Sequence, residues 1–591
     1  MQRLTVGETA RKRKRSVTPN PLTGEKTMGS TDAQPPNLDE AFTQHLQGTA
    51  QQQIYAERKE FLLQEERDSA WDRAARESAS EAENRADQLV WEVREDERDN
   101  LFGNKASEAI PGPETLDMGG QFLTNKERIE KSQLFRIAQR MPKGCHLHLH
   151  FNAELQPEGL IEWARYLPDT MFIRSTQALV NPEDYDVTEI VFNVMPADTP
   201  TSDIFSSDYN PEFKAPGSRP WMNWKTFCEE FPRTRSELNA EAWVKEKMVL
   251  QEEEVYGMKQ TVNGIWARFN QATRAFKGLL NYDEAYRRYI GLAIDSMIRE
   301  RVMYAELRPM LMDKFIPSVD GQQRYDLRAQ MDMILEEVEK KKQELKNKNE
   351  LDKFPFGVKI IYCTPRSIPK QKMRSEMQDC IELKLKYPEL ICGFDLVGAE
   401  DRPNHIGFYR DELLAFVETC KSLNIEIPFM FHAGETLLDT GGSKEPQNSN
   451  LYDSVLLNAK RIGHGYSLPR HPLLMEKFRE KPICIELCPI SNELLHLCRN
   501  VKEHTFPQLL AAGIPCTVNS DNPSLFSSSL SHEFYQVMVG WPTMGVHGWR
   551  QLAEWSITFS CLSEPEKDEA RRIFKREWEE FCCWIVDKYG H

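Results

Sequence analysis

MPKGCHLHLH, residues 141–150, decides how the rest of the chain is read. Side chains two apart on a strand share a face, so His148 and His150 can point together, with His146 one step deeper. Imidazole rings on a buried strand are unfavourable unless each has a partner. Alternating histidines at a strand end therefore read as ligands for one ion. Further short apolar runs follow at 302–308, 357–363, 391–397, 428–432, 461–464, 483–488 and 514–520. Most end in polar residues, and helical stretches such as 325–345 and 411–423 separate most of them. With 144–150, these make eight strands alternating with helices. That pattern predicts an α/β chain folded as a TIM-like (β/α)8 barrel. In such a barrel the chemistry collects at the C-terminal strand ends.

Those ends carry the right residues. The fifth predicted strand ends in Phe431-His432-Ala433-Gly434-Glu435, the sixth in Gly463-His464-Gly465, and the eighth in Asn519-Ser520-Asp521-Asn522-Pro523. Histidines with one carboxylate suit Zn²⁺ with an open position for water. Mg²⁺ and Ca²⁺ prefer all-oxygen sets. Glu435, three residues past His432, is close enough to serve as acid or base. The glycines flanking His464 permit a close backbone approach.

Six segments, MPKGCHLHLH, GFDLVGAE, FHAGE, RIGHGY, ELCPIS and NSDNP, occur in the order and strand register of the adenosine and AMP deaminase family, which the chain resembles from residue 141 onward. The resemblance implies that His148, His150, His432 and Asp521 hold one Zn²⁺ per subunit to activate water. Glu435 would protonate purine N1, His464 would orient the nucleophile, and Asp521 would accept its proton. Gly398 matches the glycine whose N–H reaches purine N3. Asn152 stands where relatives carry a ribose-binding Asp. Trp266 and Phe269 resemble an apolar lid, and serve equally as a helix core face. Asn522 replaces the family's second Asp, whose contact is purine N7; its amide can donate at any pH.

The implied reaction is hydrolytic deamination of adenosine or 2′-deoxyadenosine. AMP, adenine and N6-methylated substrates compete, and a nucleoside-binding barrel without activity is the rival of another class. A nucleotide enzyme needs a cationic phosphate clamp, for which Arg308, Arg402 and Lys444 are the candidates. The H-x-E with P-C-x-x-C signature of nucleic-acid base deaminases is absent.

Within the family, the MPKG opening, the long helical N-terminal segment and an insertion after the first strand resemble the adenosine deaminase-related growth factor subfamily. Its members are usually secreted dimers. This chain departs from them in lacking an apolar export signal at its start and in holding only Cys228 within the insertion.

Composition sets outer limits. A net charge of -16 argues against a nucleic-acid surface. No run of about 18 apolar residues suggests a membrane helix. The thirteen cysteines show no paired framework, as expected of reduced thiols in the cytoplasm. Residues 1–36 read as a disordered polar tail, whose Arg11–Arg15 run is either a nuclear signal or a solvated stretch. Residues 37–135 read as a helical extension, free of Pro from Asn37 to Asn100. Its sparse apolar residues, including Ile54, Phe61, Leu62, Trp71, Leu89, Val90 and Trp91, suit an arm lying on its own barrel or one pairing two subunits as a homodimer. The barrel is expected over 136–591, with an insertion at about 182–262 after the first strand. Its Trp221, Trp224 and Phe227 are read as packing.

Overall fold

The computed structural model describes residues 37–46, 50–212, 219–232, 238–401, 404–437 and 450–590. The tail with Arg11–Arg15, together with Arg402 and Lys444, lies outside the described residues. Packing divides the chain into residues 1–68 and 69–591. In the first unit, Asn37 caps the helix Leu38–Gln44 by accepting from the N–H groups of Asp39 and Glu40. The following helix, Ala50–Ser69, is stitched by i,i+4 pairs such as Gln53–Glu57 at 3.0 Å.

The second unit holds the barrel. Its strands in chain order are β1 (Gly144–His150), β2 (Met171–Ser175), β3 (Ile190–Val194), β4 (Met222–Asn223), β5 (Val302–Arg308), β6 (Phe315–Pro317), β7 (Arg324–Asp326), β8 (Val358–Pro365), β9 (Ile391–Val397), β10 (His432–Ala433), β11 (Arg461–His464), β12 (Cys484–Leu487) and β13 (Cys516–Val518). Two parallel ladders, β1-β5-β8-β9 and β10-β11-β12-β13, form the wall. Bridges Leu149↔Asp521 and Phe394↔Phe429 join them into a closed ring. β5 and β9 are buried along their whole length, as helices on the outside and side chains within require. The run expected as a strand at 428–432 is regular only at His432–Ala433, the residues before it joining β9 through single bonds from the Phe394 N–H to the Pro428 carbonyl and from the Met430 N–H to the Phe394 carbonyl.

The insertion departs from expectation. Between β1 and β5 lies an antiparallel sheet of order β3-β2-β4, which starts at Met171, ahead of the expected boundary at 182. In it MFIRS and IVFNV pair in register, Ile173 opposite Phe192. Trp224 and Phe227 stack beneath this sheet and are buried, with Phe231 and Trp243 beside them. Trp221 instead lies under the Arg174 guanidinium at 5.5 Å.

From residue 69 onward the N-terminal extension lies on its own barrel. Trp71 stacks on Trp541 and packs against Trp555. Leu89 and Val90 of the helix Glu81–Asp96 are buried, while Trp91 is exposed. Glu83 pairs with Arg550 and His547, and Asp87 accepts from the Val546 N–H. The extension is not helical throughout: residues 102–121 carry no helix, since Pro111, Gly112 and Pro113 interrupt them. All thirteen cysteines are free thiols. Among the described residues no helix is long and apolar enough to cross a membrane.

Candidate active site

β1, β10 and the turn after β13 bring His148, His150, His432 and Asp521 together, their ligating atoms all within 4.8 Å of one another. Asp521 Oδ1 lies 3.2 Å from His150 Nε2 and 3.5 Å from His148 Nε2. His150 Nε2 and His432 Nε2 are 3.3 Å apart. His146 is set apart by an irregularity of β1 between His146 and Leu149. Its Nε2 accepts from the N–H of Ser520 at 3.1 Å.

A second layer aims these rings. His148 Nδ1–H donates to Glu486 at 2.7 Å, and His432 Nδ1–H donates to Asp395 at 2.7 Å. Each ring therefore turns a bare Nε2 toward the cluster. His148 Nε2 is buried and has no hydrogen-bond partner. That orphaned lone pair, in a set of three nitrogens and one carboxylate, fits a divalent ion of the zinc kind. Arg308 anchors both carboxylates, donating to Asp395 at 2.9 Å and to Glu486 at 2.7 Å. Arg461 donates to Glu486 at 2.6 Å and also pairs with Glu306. Burial alone would raise Glu486, but the charges of Arg308 and Arg461 override it and hold the group well below the usual carboxylate range. Arg308 was a candidate phosphate clamp. It is instead fully buried and committed to Asp395, Glu486 and the Leu147 carbonyl, so it cannot reach a ligand's phosphate.

Glu435 and His464 lie against Asp521 beside the cluster, with Oε1 and Nε2 3.5 Å apart. Burial, reinforced by Asp521 and Glu400, pushes the Glu435 carboxyl well above its ordinary range. Glu400 fixes the FHAGE turn by accepting from the N–H groups of Gly434 at 3.0 Å and Glu435 at 2.9 Å. Burial also keeps His464 neutral, well below its ordinary pKa. A relay sets its tautomer. The Phe506 N–H donates to His504 Nδ1, so the His504 proton sits on Nε2 and goes to Asn492 Oδ1 at 2.9 Å. The Asn492 amide then donates to His464 Nδ1 at 2.9 Å, leaving the His464 proton on Nε2, toward Glu435. Glu400, Glu486, Asp395, Asn492 and His504 had no assigned role from sequence. The first three stand inside quoted motifs, which was the available signal.

His464 and Asp521 both occupy the left-handed region, at φ +65° and +56°. Non-glycine residues held there carry strain of about 1–3 kcal/mol each. On either side of His464 a side chain is excluded, because a Cβ on Gly463 would press on His148 and one on Gly465 on Ile485. Asp521 is clamped to β1 by bonds between its main chain and His148 and His150.

The residues expected to meet substrate are less uniform. Gly398 has φ +102°, and a Cβ there would meet no atom within 4 Å, so it borders open space. Asn522 is buried in the site, where one amide N–H donates to Asp521 Oδ1 at 2.7 Å rather than standing free. Asn152 lines a small cavity with Lys277, Asn281 and Gln330 that includes none of the four clustered residues. Trp266 is buried in the core, its ring edge-on to Phe269. The half-buried Phe269 stacks on Phe526, just past Asn522. Their helix, Val262–Leu280, packs on the turn Phe151–Ala153 that follows His150.

The adenosine deaminase family model matches residues 242–575. The chain is 29% identical over 468 residues to adenosine deaminase 2 of Sus scrofa, covering 79% of this chain and 84% of that one. It is 30% identical over 458 residues to the adenosine deaminase of Lutzomyia longipalpis, covering 77% and 80%. Its fold is similar to that of an amidohydrolase from Burkholderia ambifaria crystallised with bound Zn, at a TM-score of 0.51 and 13% identity over 77% of this chain and 95% of that one. With a barrel whose strand ends carry this cluster and a family match spanning more than half its length, the chain belongs to the adenosine deaminase family and is a hydrolytic deaminase.

Proposed function

We propose that this enzyme hydrolyses adenosine or 2′-deoxyadenosine to the corresponding inosine and ammonia, with one zinc ion held by His148, His150, His432 and Asp521. The observation that carries this is the set of inward, carboxylate-aimed imidazole nitrogens beside a buried carboxyl and a neutral histidine. A zinc ion held there supplies Lewis-acid activation of water.

The chain's own groups do the rest. Glu435, kept protonated by burial, donates its proton to purine N1 and so weakens the aromaticity that protects C6. Asp521 takes the proton released by the attacking water. The Nε2–H of His464 donates to the oxygen added at C6 and stabilises its charge. The Gly398 N–H holds N3, and Asn522 spends its second amide proton on N7. The proton on Asp521 passes to the 6-amino group, the C6–N bond breaks to release ammonia, and the added hydroxyl returns a proton to Glu435 as it becomes the C6 carbonyl. Of the three candidate phosphate clamps, Arg308 is committed to carboxylates beneath the site and offers nothing to a nucleotide's phosphate, which supports a nucleoside substrate.

A panel of adenosine, deoxyadenosine, AMP, adenine and N6-methyladenosine, followed by ammonia release from zinc-loaded protein, tests this. Turnover should be highest with the two nucleosides. No ammonia from any of them would leave a nucleoside-binding barrel as the reading, and preference for AMP would reassign the substrate.

A further inference from the structure

At the opposite end of the barrel, three acidic or thiol groups meet that the deamination does not use. The ligating atoms of Glu306, Cys392 and Cys561 lie within 4.8 Å of one another. Cys392 is the second residue of β9 and is buried. Cys561 is half-buried in the turn between the helices Val546–Phe559 and Glu564–Tyr589.

The charges around this cluster decide what it can do. Lys460 Nζ lies 3.5 Å from the Cys561 sulfur and Arg461 Nη1 3.8 Å from it. Lys359 Nζ donates to the Cys561 carbonyl at 2.8 Å. Glu306 is already engaged, with Oε1 accepting from the Cys561 N–H at 2.6 Å and from Tyr304, and Oε2 from Arg461. A metal cation would enter a site whose carboxylate is occupied and whose sulfur faces two positive groups. The same cations favour a thiolate.

We infer that Cys561 and Cys392 form a reversible dithiol–disulfide pair, with Cys561 as the nucleophile toward hydroperoxides and Cys392 as the resolving thiol. The Cys561 thiolate attacks the distal oxygen of ROOH and breaks the O–O bond. This gives the sulfenic acid and RO⁻, which takes a proton from solvent to leave as ROH. The Cys392 thiol then attacks that sulfur, forming the S–S bond and releasing water. Two thiols lose two electrons and the peroxide gains them. Electrostatics agree with the geometry: Cys561 is lowered to about 7, chiefly by its hydrogen bond with Cys392 and with help from Arg461 and Lys460, against the effects of burial and of the neighbouring Glu306 carboxylate. The bridge would tie β9, which carries Asp395, to a turn 169 residues further along the chain. A closure that long constrains the unfolded chain strongly.

The test treats the full-length, zinc-loaded protein with hydrogen peroxide and maps its peptides by mass spectrometry without reduction. A Cys392–Cys561 cross-link that dithiothreitol removes is expected, with an upward shift of the thermal midpoint in the oxidised form. In Cys392→Ser, a dimedone adduct on Cys561 should replace the cross-link. In Lys460→Gln, that modification should slow several-fold while deaminase activity before oxidation stays unchanged. The proposal fails if Cys561 in the wild type reacts no faster than the exposed Cys583, or if Cys561 is oxidised without capturing Cys392. Protection of the pair by added Zn²⁺ at a second equivalent would overturn it in favour of a metal site.

Discussion

Replacing Gly463 by alanine puts the aiming of His148 to a direct test. A Cβ on Gly463 would stand 2.7 Å from His148 Cε1 and 3.1 Å from its Nδ1. Contacts tighter than 3.4 Å force a neighbour to give way, so the ring must retreat by about 0.7 Å (3.4 − 2.7). It has little room. His148 is fully buried, its N–H is held by Asn519 at 3.1 Å, and its Nδ1 is tied to a Glu486 pinned by two arginines. Overpacking of this kind destabilises by about 1–3 kcal/mol. Turning the Nε2 away should weaken zinc by about 10–100-fold, as disturbing a ligand's supporting shell does. Competition against a fluorescent chelator reads the affinity, and urea unfolding reads the stability. Gly291→Ala is the control, because a Cβ there meets nothing within 4 Å. If Gly463→Ala bound zinc and turned over adenosine as the wild type does, the claim that Glu486 locks the His148 ring would be wrong.

Glu435→Gln should lower kcat by about 10²–10⁴ while zinc content, measured by mass spectrometry of the metal, stays the same; near-normal turnover would remove its role as the acid. Asp395→Asn leaves Arg308 short of a charge partner and the His432 ring without its carboxylate. A loss of about 3–5 kcal/mol in denaturant unfolding is expected, with zinc binding weakened in parallel, and unchanged values for both would refute the anchoring scheme. Gly398→Ala should fold, since its Cβ enters open space, yet raise KM through the space it takes from substrate and through strain at φ +102°. An unaltered KM would show that no base approaches that backbone.

The barrel was legible because its strands end in residues with few other uses. Histidine pairs, a lone Asp and a Glu in fixed order mark strand ends that β-propensity alone would blur. The support beneath them was not legible. Arg308 looks like a free cation at a strand end until the fold brings Asp395 and Glu486 from two other strands against it. Asn492 and His504 are ordinary residues twelve apart, and only the curl of chain around Phe506 lines them up with His464. The insertion's sheet was not legible because MFIRS and IVFNV are short and its third strand, Met222–Asn223, has only two residues. The break in helix at 102–121 is legible in Pro111, Gly112 and Pro113, although the residues before it are rich in helix formers.

The two left-handed residues of the site have a consequence for any attempt to harden this enzyme. His464 and Asp521 sit where glycine or asparagine would rest more easily. A library selected for survival at high temperature, with no demand for turnover, should shed these side chains early and emerge tougher but inert. The barrel holds Asp521 in place because its closure between β1 and the turn after β13 runs through that strained residue.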